Sequence, residues 1–442
     1  MFTSPPPKSL DKFYLNGEYV VPISTKTFTV LNPKDDSVVA DKVPIAEAAD
    51  VDIAVAHAEK AFRGEWSTFT ATQRSASGWT DKQRGDYFPD DDGLVKIVRH
   101  EPLGVCAAIN PYNSPVASLF IKAAPCLATG NVLIIKPSEK SPLGSLAVAP
   151  LFEKAGFPKG VVQVLTGAGE TGALLSAHMR VRKISFTGSI STGKKIQVAA
   201  AQSNLKRVTL ELGGKSPAII FEDANIDNAL TWTINGILAR SGQVCVAASR
   251  IYVQRAIAQQ FIAAYTTKMK EAVSRLGDPQ DPSVAMGPLA DRTSFNNVKA
   301  MIEQGKKDAE LVVGGVQYGD SGCFMEPTVF LNPKPGSQIL TEEVFGPVAV
   351  INTFDTEDEV VDLANDTEYG LMAGVFTRDI TRAMRVSSRI ESGVVGINCV
   401  SVMNIQVPFG GRKASGTGRE FGEYALRAFT EPKTVLINMN SS

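Results

Sequence analysis

Glu211-Leu-Gly-Gly-Lys-Ser-Pro217 and Gly242-Gln-Val-Cys245-Val-Ala-Ala-Ser249 stand at the two ends of the most informative stretch of this chain. Between them there is room for a short strand, Ala218–Phe221, and an amphipathic helix over about Ile226–Ala239. A strand, a turn and a helix fold the chain back, so the carboxylate at one end and the thiol at the other can meet in one cleft. Glu211 is a candidate base and Cys245 a candidate nucleophile. The pair suits covalent catalysis followed by attack of a base-activated water. A cysteine among apolar residues is more often a small buried hydrophobe. The surroundings here favour chemistry. Gly213-Gly214 lets the backbone turn tightly or approach a ligand closely, and Ser-Gly-Gln before Cys245 with small residues after it suits an accessible thiol. Val244 and Val246 flank the thiol and predict an apolar pocket around it.

Working back from Glu211, short apolar runs alternate with helical ones. Strands are predicted at Cys106–Ile109, Val132–Lys136, Val162–Leu165 and Lys183–Thr187, with helices near Val116–Ala128, Gly144–Ala155, Thr171–His178 and Thr192–Ala201. Such alternation implies a parallel sheet covered on both faces, the doubly wound dinucleotide-binding arrangement of an α/β protein. Beyond Cys245 the same pattern resumes with Ile251–Val253, a helix near Ile257–Ser274, Val348–Phe354 and a last strand at Lys433–Asn438. Near the start, Phe13–Val21 and Thr27–Leu31 read as strands, with Asn16-Gly17 as a hairpin turn. Ile45–Phe62 reads as a helix with Asp50 as its cap. Asp90-Asp-Asp-Gly93 is a solvated turn, followed by strands at Leu94–His100 and Gly104–Ile109.

A chain of 442 residues predicts two or three domains. With 44% apolar and 21% charged residues it has the composition of a soluble globular protein. A net charge of −1 gives no attraction to nucleic acid or to acidic membranes. Five scattered cysteines form no disulfide framework and fit a reducing compartment. The three histidines stand at no metal-ligand spacing, so no metal is expected. No apolar run has the length of a signal peptide core or a membrane span, and Asn-Met-Asn-Ser-Ser442 is no targeting address. The cytoplasm is the expected compartment.

Glu-Leu-Gly-Gly-Lys and Gly-Gln-Val-Cys resemble the two signatures of the aldehyde dehydrogenase superfamily, and the likeness extends over nearly the whole chain. It implies a Rossmann-type NAD-binding domain over 1–213, a catalytic domain over 214–413, and a return over 414–442. It also implies a small β oligomerisation arm, built from strands near 94–109 and the C-terminal strand, in a homodimer or homotetramer. One departure stands out. After Trp66-Ser-Thr-Phe-Thr-Ala-Thr-Gln-Arg74 the chain runs straight into Ser-Ala-Ser-Gly-Trp79, where the family has two helices. This is either a genuine shortening or a segment lost in predicting the gene's exons.

The resemblance also assigns residues. Phe186-Thr-Gly-Ser-Ile-Ser-Thr-Gly193 follows a strand and opens a helix, so its glycines let backbone approach a pyrophosphate. It lacks the three-glycine fingerprint, but its spacing matches the family's variant through Gly188, Ser189 and Gly193. Lys136-Pro-Ser-Glu139 would hold the adenosine ribose, and the Glu139 carboxylate would repel a 2′-phosphate, favouring NAD over NADP. Glu343 would hold the nicotinamide ribose and Phe345 would pack near the nicotinamide. Asn113, from Asn110-Pro-Tyr-Asn113, would donate to the oxyanion with the Cys245 backbone N–H. Lys122 and Glu420 would relay a proton from Glu211. Tyr112, where many relatives have Trp, and Phe409 would wall the aldehyde pocket.

The implied reaction is oxidation of an aldehyde to an acid. Cys245 forms a thiohemiacetal and then a thioester, and water activated by Glu211 releases the acid. Two other readings stand beside it. The missing helical segment fits a non-catalytic or crippled member of the fold. Cys245 with Glu211 alone would suffice for a thiol-dependent esterase.

Overall fold

The computed structural model describes residues 10–71, 73–74 and 84–440. Two large sheets carry the chain. The first has eight strands, in spatial order Gly416–Thr417, Arg207–Glu211, Lys183–Thr187, Val105–Ile109, Val132–Lys136, Val162–Val164, Phe13–Leu15 and Glu18–Val20. Its five central strands are parallel, with Ile109 level with Lys136 and Thr187 level with Glu211. The carboxyl ends of these strands therefore lie along one edge, where ligands of doubly wound sheets sit. Val105–Ile109 and Val132–Lys136 are buried at every position, as a sheet covered by helices on both faces demands. The covering helices are Pro115–Ala128, Leu143–Lys154, Gly169–Ala177 and Ile190–Gln202, each within two residues of its predicted bounds.

The second sheet orders seven strands as Glu310–Val313, Thr328–Leu331, Val348–Phe354, Arg250–Gln254, Pro217–Ile220, Met372–Phe376 and Val394–Ile397. Only the outermost pair, Glu310–Val313 with Thr328–Leu331, runs antiparallel. Between Pro217–Ile220 and Arg250–Gln254 the chain crosses through the helix Ile226–Leu238, capped by the Asn225 side chain on the Asn228 N–H. This crossover returns Cys245 to the neighbourhood of Glu211.

A third sheet of three strands joins Asp86–Phe88, Leu94–Pro102 and Thr430–Asn438. It corrects the expected arm in one respect. Val105–Ile109 is no part of it and lies at the centre of the eight-stranded sheet. The reason is burial. Leu94–Pro102 is half-exposed along its length, whereas all five residues of Val105–Ile109 are buried. The C-terminal strand pairs antiparallel with Leu94–Pro102 over nine positions, from Thr430 opposite Pro102 to Asn438 opposite Leu94. No strand among the described residues covers its other edge.

The helix expected from Ile45 runs from Ala48 to Arg63, and Asp50 is not its cap. Asp50 sits inside the first turn. There its buried carboxylate accepts the N–H groups of Glu47, Ile23 and Ser24, and so completes a capping box in which Glu47 holds the cap position. Arg74 starts no helix in the described chain. Its guanidinium donates to the Phe69 carbonyl at 2.6 Å and lies against Gly130. Gly78-Trp79 falls outside the described residues. No helix among the described residues is long and apolar enough to cross a membrane.

Candidate active site

A cleft of about 730 Å³ opens along the carboxyl edge of the eight-stranded sheet and takes its opposite wall from residues of the second sheet's half of the chain. Glu211 ends its strand there, only 3% exposed, and neither carboxyl oxygen has a hydrogen-bond partner among the described residues. Burial raises its proton affinity well above the ordinary carboxylate range and the neighbouring Glu420 charge adds to this, while Lys122 and Arg419 pull the other way. The next glycines explain the motif. A Cβ on Gly213 would collide with the Glu343 carboxylate, and one on Gly214 with the Cys245 carbonyl oxygen. Gly214 also donates its N–H to Glu343 at 3.0 Å. The glycine pair thus lets three functional residues close on one point.

Cys245 follows a tight turn in which Arg240, Ser241 and Gly242 all have positive φ, of 51°, 57° and 75°. A Cβ on Gly242 would collide with the Gly346 carbonyl. Gln243 locks this loop. Its amide donates to the Arg240 carbonyl at 3.0 Å, and its side-chain oxygen accepts the Ala290 N–H at 2.9 Å. Its backbone carbonyl accepts the Asn113 side-chain amide at 2.7 Å, which sets Asn113 beside the thiol loop. Burial, then the charges of Glu343 and Glu211, push the Cys245 thiol up to about 12, so it rests protonated. Val244 and Phe409 line the cleft as expected. Val246 does not. It is fully buried in the catalytic core, turned inward by the loop, with its carbonyl accepting from the Ser401 hydroxyl at 2.7 Å.

Lys122 and Glu420 form a built pair. Lys122 is 1% exposed and spends its three protons on Glu420 at 2.6 Å, Thr187 at 2.9 Å and Ser185 at 3.0 Å. Glu420 is held by reciprocal backbone hydrogen bonds with Phe409, at 2.7 and 2.8 Å.

Along the other arm of the cleft, Lys136 is buried at the end of its strand, and its ammonium reaches the half-exposed Glu139 carboxylate at 3.3 Å. Desolvation lowers the Lys136 proton affinity. Gly188 donates its N–H to the Glu211 carbonyl, and a Cβ there would press on the Phe186 ring at 2.5 Å. Ser189 caps the helix Ile190–Gln202, accepting the Thr192 N–H. Gly193 is absent from the lining. Its place is against Leu212, where a Cβ would come within 2.8 Å of a methyl, so it lets helix and strand pack. Burial raises Glu343 to about 7 and lowers the adjacent, fully buried Lys215 to about 7. Phe345 is held at φ 54°, edge-on to Tyr112 at 5.8 Å. The Lys140 ammonium lies 4.6 Å from the centre of the Tyr112 ring. Tyr112 lines the same cleft as Cys245, Val244 and Phe409, packed with Phe345 and Lys140.

Sequence reasoning missed two features. One is a slot between two helices, lined by Gly169, Gly172 and Ala173 on one side and Thr192, Ile196 and Ala199 on the other. The signal was small residues at helical spacing on facing helices. The other is Asn110, 4% exposed with an unpartnered carboxamide, which the motif match passed over for Asn113. No cluster of metal-ligating side chains occurs among the described residues.

Facing strand ends, a narrow slot of small residues and a capped helix N-terminus fit a dinucleotide, and the thiol sits at the far end of the same cleft. Such a cleft belongs to oxidoreductases that hold their substrate on a cysteine. The sequence profile of the "Aldehyde dehydrogenase family" matches residues 19–77 and 74–435. Aldehyde dehydrogenase 1A1 of Oryctolagus cuniculus is 41% identical over 479 positions, covering 97% of this chain and 96% of its own. An aldehyde dehydrogenase of Agaricus bisporus is 38% identical over 97% of this chain and 95% of its own. Among solved structures, the NAD+ complex of a Bacillus cereus aldehyde dehydrogenase superposes with a TM-score of 0.94 at 37% identity, covering 98% of this chain and 99% of that one. This chain belongs to the aldehyde dehydrogenase family and is an NAD-using oxidoreductase of aldehydes. Neither the inactive-member nor the esterase reading gains support over this one. The match to the rabbit enzyme spans 479 positions against 442 residues here, so at least 37 positions of that relative have no counterpart. The family profile breaks and resumes at 74–77, the place where the sequence lacks two helices.

Proposed function

We propose that Cys245 is the nucleophile that adds to the aldehyde carbon, and that Glu211 is the general base. Glu211 carries a raised proton affinity, so it can take the thiol proton before attack. The oxyanion is received by the Cys245 N–H and by the Asn113 amide, which keeps one N–H free after bonding Gln243. When bound, NAD supplies the hydride acceptor. Lys136, Glu139, Gly188, Ser189, Glu343 and Phe345 would hold it, with Gly193 setting the helix in place. Glu211 then removes a proton from the water that hydrolyses the thioester, and the Lys122–Glu420 pair passes that proton on. Tyr112, Val244 and Phe409 wall the aldehyde.

The observation that carries this reading is the unpartnered, buried Glu211 carboxyl in one cleft with Cys245, backed by the Lys122–Glu420 pair. NAD is preferred over NADP because the Glu139 carboxylate would repel a 2′-phosphate. Residues 1–213 and 414–442 serve cofactor binding and 214–413 catalysis. The open edge of the C-terminal strand, with Leu436 59% and Ile437 44% exposed, fits a homodimer or homotetramer. A cytoplasmic setting fits five free thiols.

The test is NADH appearance near about 340 nm with an aldehyde panel, and Cys245→Ala as control. Turnover lost in the control supports the assignment. Folded wild-type protein that binds NAD without turnover refutes it.

A further inference from the structure

The helix Pro115–Ala128 and its cap present polar groups to the cleft that the proposed reaction does not use. Ser114 and Ser118 stand one turn apart and Lys122 one turn further, so the three share a face. All three line the cleft. Lys122 is committed to Ser185, Thr187 and Glu420. The two serine hydroxyls have no hydrogen-bond partner among the described residues. Ser114 holds the N-cap position, where a serine ordinarily accepts an N–H of the first turn, yet its side chain makes no cap bond. Ser118 is only 7% exposed. A hydroxyl inside a helix commonly donates to the carbonyl four residues earlier, as Ser176 and Thr233 do in this chain. The Ser114 carbonyl receives the Ser118 backbone N–H and not its hydroxyl. Alanine would fill either place without the cost of an unpaired polar group, so the hydroxyls call for a reason.

The two ends of the face fix where it lies. Beside Ser114, the Asn113 amide reaches the Gln243 carbonyl at 2.7 Å, two residues before the thiol. At the other end Lys122 reaches Glu420 at 2.6 Å, and Glu420 pairs with Phe409 through its backbone. From Ser114 to Lys122 the helix rises about 12 Å, with Ser118 midway. The hydroxyls therefore run along the aldehyde's arm of the cleft, between the proposed oxyanion donor and the Phe409 wall. Ala117 and Ile121 flank them and also line the cleft, so a polar row stands beside an apolar one. A hydroxyl donates and accepts, and a row of two matches substrate hydroxyls, which do the same. It does not match a carboxylate, because the three Lys122 donors are taken and Glu211 and Glu420 stand beside that lysine. An alkyl tail would strip water from both serines and leave them unpaired.

We propose that Ser114 and Ser118 are specificity residues for a short hydroxylated aldehyde, whose carbons lie on Ala117 and Ile121 while its hydroxyls bond the two serines. The inference rests on the reading above that Cys245 holds the aldehyde carbon.

The experiment measures kcat/KM from NADH appearance for two pairs of similar size, glycolaldehyde against propanal and lactaldehyde against isobutyraldehyde, with succinic semialdehyde alongside. The hydroxylated-to-alkyl ratio is compared between enzymes, which cancels differences in intrinsic reactivity and hydration among the aldehydes. It should fall about fivefold in Ser118→Ala, mostly through KM, and further when Ser114→Ala is added. Alanine favours helix and no cap bond is lost, so both variants should fold. A ratio unmoved in the double variant overturns the proposal, as does a wild-type preference for succinic semialdehyde. If the double variant does not fold, either single variant decides by the same ratio. Folded wild type that binds NAD and oxidises none of the panel refutes the proposed reaction itself. Oxidation of the whole panel with an unmoved ratio refutes only the role of the serines.

Discussion

Glu211 is the residue on which most of the proposed chemistry turns. Glu211→Gln should slow NADH formation in the first turnover, because the thiol loses its base, and should slow release of the acid by about 10²–10⁴-fold. Acylated enzyme seen by mass spectrometry after one turnover is the check. The same carboxyl sets a stability signature. Its folded proton affinity is raised, so its contribution is fully present at low pH and is lost as pH rises through the folded titration. Glu211→Gln should therefore melt above wild type at pH 8, with the gap closing towards pH 5. Scanning calorimetry at the two pH values decides this. The candidate residues were legible because each lies in a short motif with its neighbours. Val246 and Gly193 were misplaced for one reason. A motif fixes a residue's place along the chain, and the direction of the side chain depends on what packs beneath it.

At the scale of elements, glycines without a Cβ let the thiol loop and the Glu343 loop approach. Gly242→Ala would drive a methyl into the Gly346 carbonyl at a φ of 75°. It should abolish turnover and lower stability by about 1–3 kcal/mol, read from turnover assays and from urea midpoints. Strands and helices were readable wherever apolar runs of strand length alternated with helical ones. The arm was half misread because a run of apolar residues reports burial and says nothing about which strand lies beside it. Val105–Ile109 and Leu94–Pro102 are separated by only Leu103 and Gly104, yet they belong to different sheets. The slot between the helices 169–177 and 190–202 was missed because it is made by absence of side-chain bulk.

For the whole molecule, the exposed edge of Thr430–Asn438 predicts assembly. Leu436→Lys with Ile437→Lys should shift the protein towards monomer in light scattering, with NAD binding retained. Wild-type protein that is already monomeric at micromolar concentration would rule the arm out as an interface. The missing segment leaves every proposed catalytic side chain in the cleft, which the sequence alone could not foresee because those residues converge only in three dimensions.

Lys122 and Glu420 are 298 positions apart, and Gly416–Thr417 joins the first sheet only after the chain has completed the second. During synthesis, both sheets can take most of their strands before this return emerges from the ribosome. A nascent or truncated chain can therefore hold thiol, base and nucleotide groove, with Lys122 on Ser185 and Thr187, yet have no carboxylate for Lys122. The proposed relay is thus the last part of the cleft that a growing chain can complete, once residue 420 has joined it.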